Sequence, residues 1–325
     1  MKAAVFRRYG PPEVLTIEDV EKPVPKDNEV LVRVHATTVC TIDWRFRSGK
    51  PFFFIRPMIG FLRPKKVSIL GLEFAGTVEQ VGAKVARFAV GDRVFGSTGL
   101  RMGAHAEYVS VPENKGLAKT PDGITDEQAA AIPFGGISAL HFLRRAKIAA
   151  GQKVLIYGAA GSVGAWTVQL AKHFGAHVTG VCSTANLALV KSIGADSVID
   201  YTREDFSKGG PIYDVVFDAV GKTHARQSLR ALKRGGSYVL VGANLSAILG
   251  AVRLRLTGAG QVIGGMARVQ PGDFDLLANP VATGEIRPVI GKRFAFHDIA
   301  EAHRYAQSGH KRGNAVVIIQ ERLNV

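Results

Sequence analysis

The chain has 325 residues, 46% of them hydrophobic and 21% charged, which excludes long disordered stretches and fits two domains of roughly 100 to 200 residues each. Its 37 glycines follow no regular period and its only cysteines are Cys40 and Cys182, so collagen, a disulfide framework and an all-cysteine structural zinc lobe are excluded, and a reducing compartment is expected. The formal net charge of +15 admits nucleic acid, an anionic membrane surface or a phosphorylated small ligand as partner.

In chain order, the N-terminus MKAAVFRRYG has no apolar run before its charges, so no signal peptide is read and cytoplasmic residence is expected. Short strands and turns follow: Val30 to Val34 (VLVRV) reads as a strand, Pro23 and Pro25 break the approach to it, and glycines recur at 71, 76, 82, 91, 96, 99 and 103, as in an irregular β domain. Between Asp43 and Glu73 there is no acid, whereas Arg45, Arg47, Lys50, Arg56, Arg63, Lys65 and Lys66 lie there among Trp44, Phe46, Phe52, Phe53, Phe54 and Phe61. This basic, aromatic segment is too short and too broken to cross a bilayer.

From about Thr125 strands and helices alternate, the pattern of parallel βαβ units covered on both faces. Strands are expected at Lys153 to Tyr157, His177 to Val181, Ser197 to Asp200, Tyr213 to Asp218 and Ser237 to Val241, with helices starting near Ser162, Ala185, Arg203 and Thr223. The Gly235-Gly236 pair is read as the end of one helix and the start of the next strand. After about Gly265 come a helix near Phe274 to Ala282, a strand near Val289, a helix from Asp298 to Gln307 and a terminal strand at Ala315 to Ile319. The fold class is α/β, a doubly wound parallel sheet over residues 125–265, with a β-rich part built from residues 1–124 and 266–325.

The strand KVLIY runs directly into Gly158-Ala159-Ala160-Gly161-Ser162-Val163-Gly164 and then a helix, a GxxGxxG spacing. Glycines there turn the chain, admit a pyrophosphate to the backbone N–H groups and let helix pack on strand, so the strand-loop-helix context reads as dinucleotide binding. After the second strand, where an NAD enzyme sets an acid against the ribose, the chain carries Cys182-Ser183-Thr184-Ala185-Asn186, and no acid occurs between Glu127 and Asp196. Ser183, Thr184, Asn186 and Lys191 offer hydrogen bonds or charge to a 2′-phosphate, which favours NADP(H); a solvated helix face is the alternative for Lys191.

These residues resemble the medium-chain dehydrogenase/reductase superfamily, in its zinc-independent quinone-oxidoreductase-like branch. The likeness runs through MKAAVFRRYGPPEVL, EVLVRVHATTV, ILGLEFAGTVEQVG, FAVGDRVFG, AAAIPFGGISAL, GAAGSVG, SIGADSVIDY, DVVFDAVG and EAHRYAQSGHKRGNAVV. It implies a GroES-like catalytic domain made from both chain ends and a Rossmann domain holding the cofactor. Zinc-dependent members hold the metal with a cysteine in a GVCHTD-like segment, a histidine in a GHE-like segment and a later cysteine. Here Cys40 and Glu73 remain, Leu72 stands at the histidine position and no third cysteine exists, so no metal is expected.

The resemblance further implies that Cys40, Thr41 and Asp43 lie near the nicotinamide and its ribose, with an Asp43–Arg47 pair on one helix as the alternative for Asp43. It puts Tyr201 near the 2′-phosphate, with burial as the alternative; Ser138 near the cofactor, with helix initiation as the alternative; and Gly242 and Ala243 on the nicotinamide side. Asn314 replaces the lysine of the family's closing motif, and His35, His105 and His141 read as core or surface histidines. The segment from Trp44 to Lys66 falls on a variable loop, suited to closing over a flat apolar substrate, to weak contact with an anionic membrane or to solubility alone. No nucleic-acid module is present. A homodimer through the strand around Gln261 to Gly265 is expected by resemblance. The expected activity is zinc-independent, NADPH-dependent reduction of quinones or α,β-unsaturated carbonyls; the alternatives are an NADPH-binding structural or regulatory protein with little turnover and an alcohol dehydrogenase.

Overall fold

The computed structural model describes residues 1–65, 67–221, 223, 225–241 and 260–320. The chain divides into two compact units, Met1–Phe134 with Pro271–Val325, and Gly135–Gln270. The first boundary lies past 124 because the short helix Asp126–Ala130 packs on the strands of the first unit.

In the first unit β1 (Lys2–Phe6) and β2 (Leu15–Asp19) form an antiparallel pair. Then follow β3 (Glu29–Val39), α1 (Thr41–Ser48), α2 (Phe52–Ile59), β4 (Glu73–Val81), β5 (Arg93–Ser97), β6 (Tyr108–Pro112), β7 (Leu117–Lys119) and α3 (Asp126–Ala130). β3 carries the core on both faces: Val30, Val32, Val34 and Val39 pack with Phe74, Val78, Val94, Val109 and Val111. The alternation read in VLVRV therefore marks no solvent face: every β3 residue but Arg33 is buried.

Most of the basic aromatic segment is helical, in α1 and α2. Pro51 and Phe52 open α2, and Ile55 and Ile59, one turn apart, drop into a cluster with Phe6, Phe46, Leu70 and Leu72. Pro57 and the flanking charges hide this one-sided helix from a reading of the sequence.

The division falls within α4 (Pro133–Arg145). The second unit holds β8 (Lys153–Tyr157), α5 (Ser162–His173), β9 (His177–Cys182), α6 (Leu187–Ser192), β10 (Ser197–Asp200), β11 (Tyr213–Asp218), α7 (Ala225–Ala231), β12 (Leu232–Leu240) and β13 (Gly260–Gly264). All pair in parallel, in the order β10-β9-β8-β11-β12-β13. The winding reverses between β8 and β11, so the carboxyl ends of these two strands, Tyr157 and Asp218, flank the crevice where doubly wound sheets bind ligands.

Two expectations fail here. Turns replace the helix near Arg203, because the Asp200 and Asp205 carboxylates take the N–H groups of Thr202 (3.0 Å) and Ser207 (2.9 Å), and Gly209-Gly210-Pro211 follows. β12 begins at Leu232 and carries Gly235-Gly236 through an irregular register against β11, with Gly235 at φ +81°.

The chain returns to the first unit through α8 (Asp273–Ala282), β14 (Ile290–Ala295), α9 (Ile299–Gln307) and β15 (Asn314–Ile318). β15 pairs antiparallel with β3, completing a seven-stranded sheet of order β14-β15-β3-β4-β5-β7 with β6 also on β3.

Candidate functional site

In the second unit the chain leaves β8 through a loop whose three glycines differ. Gly158 sits at φ +78°, and its N–H and that of Ala159 donate to the Val181 carbonyl at 3.0 and 3.1 Å, pinning the loop to the end of β9. At Gly164 a Cβ would lie 2.1 Å from the Gly158 carbonyl oxygen, so helix and loop touch there only without a side chain. Gly161 answers to neither demand. Its φ is −79°, and an added Cβ would meet nothing closer than the Gly158 oxygen at 3.5 Å. That unfilled space lies at the amino end of the 12-residue helix α5, which no side chain caps, a place where backbone dipoles favour an anion. Ala159, Ala160, Ser162 and Val163 are buried around it. These features fit a dinucleotide pyrophosphate.

The opposite wall is set by Asp218. Its carboxylate, fully buried, accepts from the N–H groups of Val220 (3.0 Å), Gly221 (2.8 Å) and Thr223 (3.0 Å) and from the Thr223 hydroxyl. The Thr223 hydroxyl also meets that of Tyr238 at 2.8 Å. Thus held, the segment after β11 sets Val220 against Gly158, where a Cβ on Gly158 would come within 2.8 Å of it.

At the end of β9, Ser183 leads into a single turn over Thr184–Asn186. The Asn186 amide donates to the Ser183 hydroxyl at 3.0 Å. The Thr184 hydroxyl donates to Asp200, which arrives from the end of β10 opposite Cys182. An acid therefore does stand at this end of the sheet, carried by the neighbouring strand. Asp200 is buried and engaged, accepting also from the Thr202 N–H (3.0 Å) and hydroxyl (2.7 Å), with the Arg203 guanidinium 3.7 Å away. The Thr184 hydroxyl and these neighbours hold its carboxyl below the ordinary range. Tyr201 is exposed, its ring 5.9 Å from that of Tyr157, so burial is not its role.

Lys191 is a correction. Its ammonium donates to the Asp196 carbonyl at 2.6 Å, and Asp196 donates its own N–H to Val178 near the start of β9. α6 runs back along the sheet, so Lys191 lies at the opposite edge from the glycine loop. Arg203, which reasoning from sequence passed over, stands at the correct edge with 74% of its side chain exposed. Its signal was its place two residues after Tyr201. Ser138 lies in the second turn of α4, buried, so it does not initiate that helix. Gly242 and Ala243 lie outside the described residues.

In the first unit, α1 starts at Cys40, and the Asp43 carboxylate accepts the Cys40 N–H at 2.7 Å and the Gly71 N–H at 3.0 Å. Asp43 is fully buried, with both carboxylate oxygens bound. It does not pair with Arg47, whose guanidinium donates to the Gly10 carbonyl (3.0 Å) and to Gln307. Burial, then the Asp43 and Glu73 carboxylates, push the Cys40 thiol well up, so it is not a thiolate. Thr41, partly exposed, occupies the first turn of α1.

Glu73 is fully buried, accepting from the Thr38 hydroxyl and from the Phe134 N–H (2.6 Å), and burial pushes its carboxyl up to about 7. Lys311, invisible to the motif reading, donates to the Val39 carbonyl at 3.4 Å; burial lowers its pKa while Cys40, Glu73 and Asp43 pull the other way. It adds a cation to this group of acids. The His105 Nε2–H donates to the Thr38 carbonyl at 3.0 Å, and its ring meets the buried His303 edge-on at 5.4 Å. Burial, then His105 and Arg47, drive His303 well below its usual pKa. His35 meets Asp126 at 2.8 Å, and His141 takes a long bond from the Arg268 N–H, at 3.4 Å.

Two family models match the chain: the alcohol dehydrogenase GroES-like domain over residues 26–122 and the zinc-binding dehydrogenase over residues 193–317. The NADPH-dependent alkenal/one oxidoreductase, chloroplastic, of Arabidopsis thaliana is 33% identical over 98% of this chain and 79% of its own length. The quinone oxidoreductase of Pseudomonas aeruginosa is 33% identical over 98% of this chain and 99% of its own. The solved quinone oxidoreductase of Coxiella burnetii superposes with a TM-score of 0.89 at 30% identity, covering 98% of this chain and 99% of that one. The chain belongs to the medium-chain dehydrogenase/reductase superfamily, in its quinone-oxidoreductase-like branch.

Membership makes the chain an oxidoreductase. The zinc of other superfamily members does not fit these residues. Leu72 carries no donor, Cys40 is a buried thiol beside two carboxylates, and among the described residues no three His, Cys, Asp or Glu side chains come together as a metal site. Asn314 starts β15, its amide donating to the Val289 carbonyl at 3.1 Å, where the superfamily's closing motif carries lysine.

Proposed function

We propose that the chain is a zinc-independent, NADPH-dependent reductase of quinones or α,β-unsaturated carbonyls. The observation that carries this is a coexistence: a dinucleotide loop with Gly161 left bare without internal need, and Leu72 at the position of a metal ligand. Bound, the reduced nicotinamide supplies a hydride, which suffices for electrophiles already activated by conjugation.

The proposed work of the protein is to bind, orient and stabilise charge. The N–H groups of the Gly158–Gly164 loop and the amino end of α5 hold the pyrophosphate. Ser183, Thr184, Asn186, Tyr201 and Arg203 receive the adenosine end; the Asp200 carboxylate there is already engaged by Thr184, Thr202 and Arg203, which supports NADPH over NADH. The Arabidopsis relative is named as NADPH-dependent, which supports the same preference. Ser138 is a further proposed cofactor contact, on the resemblance alone. In the first unit Cys40 and Thr41 are the proposed contacts, held by Asp43, and the Lys311 ammonium stabilises the substrate oxygen that gains electron density, with water or a hydroxyl giving the proton. Among the described residues β13 is the edge of its sheet, with Gln261 exposed, and the proposed homodimer pairs this edge with its copy.

The test is NADPH consumption by the purified protein with a panel of quinones and enones, with and without a chelator. Turnover unaffected by chelator is expected. Normal NADPH binding without turnover on any of them refutes the proposal.

A further inference from the structure

We infer that the outward face of α2 and the turn after it is an anchor for the surface of an anionic phospholipid bilayer, independent of the catalytic reading. While Ile55 and Ile59 are buried, the other side of the same segment presents Phe53 (86% exposed), Phe54 (74%), Phe61 (59%) and Leu62 (86%), with Met58 between them. Large apolar side chains clustered in water mark an interaction site.

The cluster is held out by the fold. The Tyr9 hydroxyl donates to the Gly60 carbonyl, and the Arg56 guanidinium lies 4.6 Å from both the Tyr9 and the Phe52 rings. The Phe52 ring meets Phe53 edge-on at 5.4 Å and Phe61 at 5.1 Å. The apolar face is therefore an ordered feature.

Charge selects the occupant. No acid lies between Asp43 and Glu73, and exposed Lys50, Arg63 and Lys65 flank the aromatic residues along the chain. A second copy would set the same cations against these, so self-association by this face meets like charge. Nucleic acid would use rings splayed for stacking, whereas these pack edge-on and share the face with Leu62 and Met58. An anionic bilayer matches both features: rings and aliphatic tips enter at headgroup depth while ammonium and guanidinium groups meet lipid phosphates. Among the described residues no helix is long and apolar enough to cross a membrane, so the contact lies in the interfacial plane. The chain's net charge of +15 adds longer-range attraction.

Sedimentation of the full chain with vesicles of phosphatidylcholine containing about 30% phosphatidylserine tests this, against pure phosphatidylcholine and against single-stranded oligonucleotide. Binding to the anionic vesicles is expected at least ~10-fold tighter than to neutral ones, falling as salt rises. Phe53→Ser/Phe54→Ser, which leaves the charge unchanged, is expected to lose about 10-fold or more, and Lys50→Ser/Lys65→Ser a similar amount. Because a surface substitution can still disturb α2, Phe53→Trp provides a second reading: its emission shifts to the blue on anionic vesicles alone. The inference is overturned by no cosedimentation, by undiminished binding of the serine pair, by tight oligonucleotide binding that the serine pair abolishes, or by conversion of an oligomer to monomer in that variant.

Discussion

Gly161→Ala separates cofactor recognition from folding. At the N-cap, alanine is worse than glycine by about 0.5–1 kcal/mol, and the loss of unfolded-state freedom returns about 0.4–1 kcal/mol. With φ at −79° and the nearest atom 3.5 Å from the new Cβ, no strain is added, so the two effects nearly cancel. The melting temperature is expected to move by no more than about 4 °C. The methyl group instead occupies the space proposed for the pyrophosphate. Losing two charge-assisted N–H bonds, at about 1.5–3 kcal/mol each, weakens NADPH binding by about 10²- to 10⁴-fold. Gly164→Ala is the contrast: its Cβ would lie 2.1 Å from the Gly158 oxygen and 2.9 Å from the Ala159 Cα, backbone atoms that cannot swing aside, so it unfolds easily, at a cost of about 3 kcal/mol or more. Calorimetric titration of NADPH beside thermal denaturation reads both quantities. A Gly161→Ala protein that binds NADPH as tightly as the parent, or that melts far below it, refutes the assignment of that space to the cofactor.

Glu73 links stability to pH. Its folded pKa, near 7, lies above the unfolded value, so its contribution is present below the unfolded pKa and is lost as pH rises to about 7 and beyond, by an amount of order 3 kcal/mol. Denaturant unfolding is expected to show Glu73→Gln gaining on the parent as pH rises from 5 to 8; His303, with its depressed pKa, acts in the opposite sense in both proteins and cancels in the difference. Asp218→Asn halves the acceptors for the four bonds that hold the segment after β11, and is expected to cost about 2–3 kcal/mol of stability and to weaken NADPH binding, both measurable by unfolding and titration; an unchanged affinity would deny that segment a role. Arg203→Ala is expected to cut the preference for NADPH over NADH by about 3- to 10-fold, with NADH binding unaffected, in parallel titrations. Lys311→Met is expected to lower kcat more than KM with a quinone substrate; a change in KM alone would make Lys311 a binding group and not a stabiliser of charge.

Much of the architecture was legible in the chain. The apolar runs at 153–157, 177–181 and 213–218 are strands buried on both faces, and such runs announce themselves locally. The bare GxxGxxG between strand and helix was equally plain, as was Leu72 where a ligand would stand. α2 was missed because one-sided burial over eight residues is a weak periodic signal, here masked by Pro57 and by aromatic residues on its exposed side. The missing helix near Arg203 shows the same limit, since side-chain oxygens of Asp200 and Asp205 capture the backbone before helix propensity can act.

Composition and local order along the chain determined which units form and where a nucleotide loop sits, because these depend on neighbours within one turn or one strand. Tertiary structure alone decided that Lys191 faces the wrong edge, that Asp200 reaches Thr184 from another strand, and that Lys311 joins Cys40, Asp43 and Glu73 from 238 or more residues away in sequence. Charge and hydrogen bonding act through space, and their partners are set by packing, which spacing along the chain does not encode.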